Sequence, residues 1–181
     1  ADMVIKYNDN FNRNNLIDDC YYIQQETETL SYYNIRIMNS LKSNINKTLK
    51  LGVLGFPLSH TLSPIIHNYW LGRHDLKGFY SAVEINPSDL EAFFRDDIFQ
   101  YDGMNVTIPH KLDVFDFMDE IHESAKIIGA INCISVNQES RLLGSNTDAD
   151  GFMSGLLASI PNIKFDKCNA MVIGAGGASR A

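Results

Sequence analysis

Three polar segments and one glycine run hold the residues of this chain that could do chemistry. The segment SHTLSP sets Ser59, Thr61 and Ser63 around a helix start. Hydroxyls beside the unbonded N–H groups of a first helical turn make a site for a carboxylate. Taken alone, the same residues read as ordinary helix capping. The segment NVTIPHK brings Asn105, Thr107 and Lys111. Lys111 falls in the first turn of an expected helix, where the macrodipole disfavours a cation, and alone it reads as an exposed lysine. The segment SNTDAD brings Asn146, Thr147 and Asp148, and aspartate at a helix start is commonly a cap. Lastly, GAGGASRA puts Gly174, Gly176 and Gly177 directly after the apolar run Met171-Val172-Ile173. Such a loop lets a backbone approach a nucleotide diphosphate. The third glycine of the G-x-G-x-x-G spacing is Ser179 here.

The elements that must carry these loops follow from periodicity and punctuation. LGVLGF reads as a buried strand, and SPIIHNYWLGR as a helix with Ser63 at the N-cap and Pro64 at its first position. FYSAVEI is a strand, and Asn86 with Pro87 opens a further helix over NPSDLEAFFRD. DGMNVTI is a third strand; Pro109 starts a helix, and another spans DEIHESAKII. AINCISV and RLLGS are strand-like. TDADGFMSGLLASI reads as a helix capped by Thr147 or Asp148, and NAMVIGAGG as a strand entering the glycine turn. Strands alternating with helices predict an α/β fold: a mainly parallel sheet with helices on both faces. A ligand crevice is then expected beyond the strand C-termini, where the three polar segments fall. His67, on an apolar helix face, is expected in the core. Phe115, Phe117 and Met118 are likewise expected to pack inward.

Residues 1–50 have a different texture, rich in Asn and without Gly or Pro. ADMVIKY, LIDDCYYIQQETETL and YYNIRIM read as strand, helix and strand, and NSLKSNINK as a linker. The net charge of −7 argues against a general nucleic-acid binder, which needs a basic face. Cys20, Cys133 and Cys168 form no CxxC pair and read as free thiols of a reducing compartment, hence a cytoplasmic protein. No apolar run reaches the length of a membrane span. The five histidines show no metal-ligand spacing.

From about Leu51 onward the chain resembles the shikimate dehydrogenase family. The resemblance rests on GFPLSHTLSP, NVTIPHK, GAIN, GSNTDADG and GAGGASR, in that family's order and approximate spacing. It implies a shikimate-binding domain over 51–147. It further implies that 148–181 hold a linker helix and the first strand and glycine turn of a Rossmann domain. Lys111 and Asp148 correspond to the family's catalytic pair. Thr61 and Ser63 correspond to its carboxylate-binding SxS hydroxyls, with Thr61 in place of the first serine. Asn105, Thr107 and Asn132 correspond to groups on the ring hydroxyls. Gly174, Ala175, Gly176, Gly177 and Ala178 correspond to the NADP diphosphate loop. The implied reaction is NADP-dependent reduction of 3-dehydroshikimate to shikimate. Quinate dehydrogenase and a non-catalytic shikimate- or quinate-binding module are the alternatives, and monomer and homodimer both stay open. The cofactor contacts beyond the glycine turn are absent from the chain, so it is expected to be a piece of a longer protein, inactive in hydride transfer by itself. Residues 1–50 are either an extension without separate function or the remnant of a fused type I 3-dehydroquinate dehydratase. The second reading puts Lys6 at a Schiff-base position, though its local spacing departs from that family's.

Overall fold

The computed structural model describes residues 48–181. The expected strand–helix–strand unit near the N-terminus, with Lys6 and Cys20, lies outside the described residues. The first described element is β1, Leu49–Gly55. Then come α1 (Ser63–Arg73), β2 (Gly78–Glu84), α2 (Leu90–Asp96) and β3 (Gly103–Val106). The chain continues through β4 (Glu120–Ile121), α3 (Glu123–Ile128), β5 (Cys133–Val136), β6 (Leu142–Ser145) and α4 (Asp148–Ser159). The six strands form one sheet in the order β2-β1-β3-β5-β6-β4. β1 pairs in parallel with β2 and β3, and β4 with β6; β3/β5 and β5/β6 are antiparallel. Parallel pairing therefore predominates, with an antiparallel hairpin inserted beside β3.

Side-chain alternation along β1 separates two layers. Val53 joins Leu49, Leu58, Leu71 and Tyr80 in one cluster, so α1 covers that face through Leu71. Leu54 joins Leu90, Phe93, Phe94, Met104 and Val106 in the other, so α2 covers the opposite face. Helices thus lie on both faces, as expected. Phe94 stacks on Phe117 with centroids 4.4 Å apart, and Phe115 and Met118 pack beside them, so the inward placement of these three residues holds.

Several local expectations are corrected. Leu62, not Ser63, occupies the N-cap of α1, and its carbonyl accepts from Ile65 and Ile66 N–H. The hydroxyl of Thr61 takes the Ser63 N–H at 3.3 Å, so Thr61 does the capping and Ser63 does not. Asn86 does cap, accepting from Ser88 N–H, but the first turn at Pro87–Asp89 is 3₁₀. Pro109 opens no α-helix: 109–112 are turns, followed by a 3₁₀ segment at Asp113–Phe117. The cause is visible at Lys111, whose carbonyl accepts from Ile131 N–H, while Phe115 N–H bonds Leu112 O instead. The segment DEIHESAKII divides into β4 and α3, because Asp119 and His122 N–H bond β6 carbonyls and the His122 ring then caps α3. His67 is exposed on α1, not core; its ring lies flat on Tyr80.

The strand expected at NAMVIG does not form among the described residues. Met171, Val172 and Ile173 are 83%, 70% and 88% exposed. A strand of this apolar kind is stable only with its faces and edges covered, and the described sheet does not cover it. The glycine turn ends in a 3₁₀ segment, Gly177–Arg180. Among the described residues no helix is long and apolar enough to cross a membrane.

Leu54 has no exposed surface. Leu54→Ala is expected to lower unfolding free energy by about 2–5 kcal/mol. Gly72, in α1 with open space where a Cβ would stand, is the opposite case. Gly72→Ala is expected to raise it by roughly 0.5–1 kcal/mol. Urea melts of both variants against wild type check the pair of signs.

Candidate active site

The loops leaving β1 and β3 lie side by side. α1 carries the chain from β1 to β2 on one side, while β3 lies on the other, so the strand order reverses at β1. That is where a crevice opens in a parallel sheet. The loop after β1 is fixed from both directions: Phe56 N–H bonds Ile108 O, and Leu58 N–H bonds the Glu84 carboxylate at 2.9 Å. Gly55 admits no side chain, since a Cβ would stand 2.5 Å from Thr107 Cγ2. This close approach puts the Thr61/Ser63 loop against the loop of Thr107 and Lys111.

The loop after β3 is held by its backbone and by a buried histidine. Thr107 N–H bonds Leu54 O, and His110 N–H bonds Thr107 O. The His110 ring is fully buried and its Nε2 lies 2.8 Å from Ile85 O. A carbonyl can only accept, so Nε2 carries the proton. Lys111 follows, its main chain anchored by Ile131 as described. Its ammonium meets Asp148 Oδ2 at 2.7 Å, with the two side chains 5% and 10% exposed.

The second carboxylate oxygen belongs to Asn132. Asn132 Nδ2 donates to Asp148 Oδ1 at 2.7 Å and to Thr147 Oγ1 at 3.0 Å, while Asn132 Oδ1 accepts from Thr147 N–H. Thr147 sits at the N-cap of α4 without capping through its side chain. Asn146 does that work, its Oδ1 accepting from Asp148 N–H at 2.8 Å, and its Nδ2 donates to Ala130 O at 2.8 Å. A buried asparagine satisfied at both ends thus sets the start of α4 and aims Asp148 at Lys111. The sequence sets Asn146 among the polar residues of SNTDAD but gives capping to Thr147 or Asp148 and no site role to Asn146; its signal was adjacency to those two residues.

Of the expected site residues, Lys111, Asp148 and Asn132 are brought into one network. Asn105 lies on β3 and accepts from Tyr80 O–H at 2.8 Å. Thr61, Ser63 and Thr107 are half-buried in the two loops. Gly177 is also drawn in: a Cβ there would lie 2.8 Å from Lys111 Cβ and 3.2 Å from its Cδ, so the glycine turn rests on the lysine stem. Gly174 has φ +123, and both it and Gly176 face open space. Ala175 and Ala178 are exposed. Burial raises the Tyr80 phenol above its ordinary range, and the Cys133 thiol likewise. Tyr80, Glu84 and His110 escaped the sequence reading because a tyrosine, a glutamate or a histidine at a strand end carries no local signature of its partner.

The sheet, and the polar network at its C-terminal edge, define an α/β domain with a candidate ligand crevice at that edge. The family model described as "Shikimate dehydrogenase substrate binding domain" matches residues 53–134. A relative from Shouchella clausii, "Shikimate dehydrogenase (NADP(+))", is 42% identical over 135 residues, covering 74% of this chain and 49% of the relative. One of the same name from Brucella abortus is 44% identical, covering 73% and 45%. A crystal structure of shikimate 5-dehydrogenase from Thermus thermophilus in complex with shikimate superposes with TM-score 0.66 at 37% identity, covering 74% and 50%. Over residues 53–134 the chain matches the substrate-binding domain of the shikimate dehydrogenase family. It spans about half the length of the curated relatives it matches.

Removing one member of a buried ion pair leaves the other charge uncompensated. Lys111→Met is therefore expected to lower stability at pH 7 by about 3–5 kcal/mol. Lys111→Met with Asp148→Asn is expected to recover more than half of that loss. Urea midpoints of the single and double variants decide it.

Proposed function

We propose that this chain supplies the substrate-binding and proton-handling part of an NADP-dependent shikimate dehydrogenase, which reduces 3-dehydroshikimate to shikimate. The observation that carries the reading is the buried Lys111–Asp148 pair, 2.7 Å apart at the carboxyl edge of the sheet. Reduction of the ring ketone needs a proton on its oxygen as hydride reaches its carbon. A positioned acid contributes roughly 10²–10⁴-fold to such a step. Lys111 offers three donors; one holds Asp148, and another is suited to the reacting oxygen. Asp148 orients the ammonium, and Asn132 keeps the second carboxylate oxygen from turning away.

The other residues take the rest of the substrate. Thr61 and Ser63 suit the ring carboxylate, and the Ser63 hydroxyl is not used as a helix cap. Thr61 accepts the Ser63 N–H through its oxygen, which leaves its own O–H to donate. Asn105, Thr107 and Asn132 suit the ring hydroxyls, because amides and hydroxyls both donate and accept. An analogue lacking one hydroxyl leaves a polar group of the site unpaired, a strong basis for rejection.

The glycine turn fits a dinucleotide diphosphate. Gly174 adopts a φ that side chains rarely accept, and the space above Gly174 and Gly176 is open to a close-lying group. Gly174, Ala175, Gly176, Gly177 and Ala178 would hold that diphosphate. NADP, when bound, supplies or accepts the hydride. A cytoplasmic setting belongs to the same proposal, in keeping with the free thiols of Cys133 and Cys168.

NADP-linked oxidation of shikimate by the natural protein tests the reading. Lys111→Ala is expected to lower kcat about 10²–10⁴-fold, with a smaller change in KM for shikimate. Wild-type protein without shikimate-dependent NADP reduction, or a Lys111→Ala variant at full turnover, overturns it.

A further inference from the structure

Tyr80 is a core residue with a polar end, on the β1 neighbour farthest from the catalytic pair. It stands opposite Leu51 on β1, while Asn105 stands opposite Val53. By alternation both project from the α1 face of the sheet. β1 lies between them, so their strands are about 10 Å apart, and the Tyr80 ring reaches across to donate its O–H to Asn105 Oδ1 at 2.8 Å.

The ring is held for that reach. Tyr80 is 5% exposed. Its backbone is clamped by Asn68, which donates from Nδ2 to Tyr80 O at 2.7 Å and accepts Tyr80 N–H at 2.8 Å. The His67 ring stacks on it at 4.2 Å and 11°. Burial keeps the phenol protonated, so it stays a donor at any physiological pH. A space-filling aromatic needs none of these restraints.

The consequence falls on Asn105. An amide has an acceptor end and a donor end of nearly equal shape, and either can face a ligand. With its oxygen turned to Tyr80, Asn105 turns its NH₂ the other way. We propose that Tyr80 is a positioning residue that fixes Asn105 as a hydrogen-bond donor, so that this position selects a substrate oxygen with a lone pair to offer. This rests on the shikimate-binding reading above. Phenol and amide then form a specificity device separate from the Lys111–Asp148 pair: it sorts ligands and moves no proton.

The test is shikimate titration of the full chain, followed by amide chemical shifts, for wild type, Tyr80→Phe, Asn105→Ala and the double variant. Each single change is expected to weaken binding about 3–10-fold, the worth of one hydrogen bond. The double variant is expected to bind no more weakly than Asn105→Ala alone, because Tyr80 acts only through Asn105. Losses that multiply, or a Tyr80→Phe variant that binds as wild type does, overturn the positioning role while shikimate binding stands. A second reading needs no variant: the Asn105 side-chain NH₂ resonances of wild type must move on titration, and stationary ones overturn the role. Wild-type protein with no response to shikimate at all overturns the substrate reading and this inference together.

Discussion

One ammonium and one carboxylate are kept from water without either being left wanting, and the carboxyl edge of the sheet is arranged around that constraint. Withdrawing such ions from water costs several kcal/mol each. The contact of Lys111 with Asp148 at 2.7 Å offsets part of this. The rest of the carboxylate's needs are met by an amide on Oδ1 and by the capped start of α4. Neither partner can be placed alone. Lys111 needs its main chain held by Ile131, and Asp148 needs Asn146 tied to Ala130. Residues 129–132 therefore serve both sides of the pair, which is why a short loop between α3 and β5 contains three fully buried residues, Ala130, Ile131 and Asn132.

The mixed sheet is the means of bringing these loops together. β1 and β3, parallel neighbours, send the hydroxyl-bearing loop and the lysine loop out at the same edge. The hairpin β5–β6 runs antiparallel beside β3, so the loop entering β5 and the segment leaving β6 also arrive there. Asn132 precedes β5 and Asp148 follows β6 for this reason. Had β5 paired in parallel with β3, Asn132 would enter at the far edge. The antiparallel insertion is thus a requirement of the site, not an irregularity of an otherwise parallel sheet.

Much of this was legible in the sequence. The alternation of apolar strands with proline- and asparagine-punctuated helices gave the layers, and Phe115, Phe117 and Met118 pack against the core as expected. Lys111 and Asp148 were named from their motifs, and they meet. The failures share a cause. Local rules assigned Ser63 as a cap and 109 onward as an α-helix, but the Leu62 carbonyl takes the Ile65 and Ile66 N–H groups that a Ser63 cap would accept, and the Ile131 N–H, placed by tertiary structure, takes the Lys111 carbonyl. His67 sat on an apolar pattern yet stays exposed, its ring covering Tyr80 from outside, since α1 buries only Leu71 fully. Met171–Ile173 read as a strand because composition reports preference, whereas pairing needs a neighbour. Tyr80 was unreadable as a site residue because its meaning depends on Asn105, 25 positions away.

The spacing of the buried pair has a consequence for how the chain is made. Asp148 follows Lys111 by 37 positions. At a translation rate of about 5–20 residues per second, the lysine leaves the ribosome roughly two to seven seconds before its partner. Through that interval β1, β2 and β3 can already pair, but a cation stands at the end of β3 with nothing to neutralise it. The lysine therefore has no Asp148 to meet until β6 and the first turn of α4 arrive. A nascent chain stalled before Ser145 should present a formed parallel half-sheet with an open, hydrated edge, the form most exposed to chaperones and proteases.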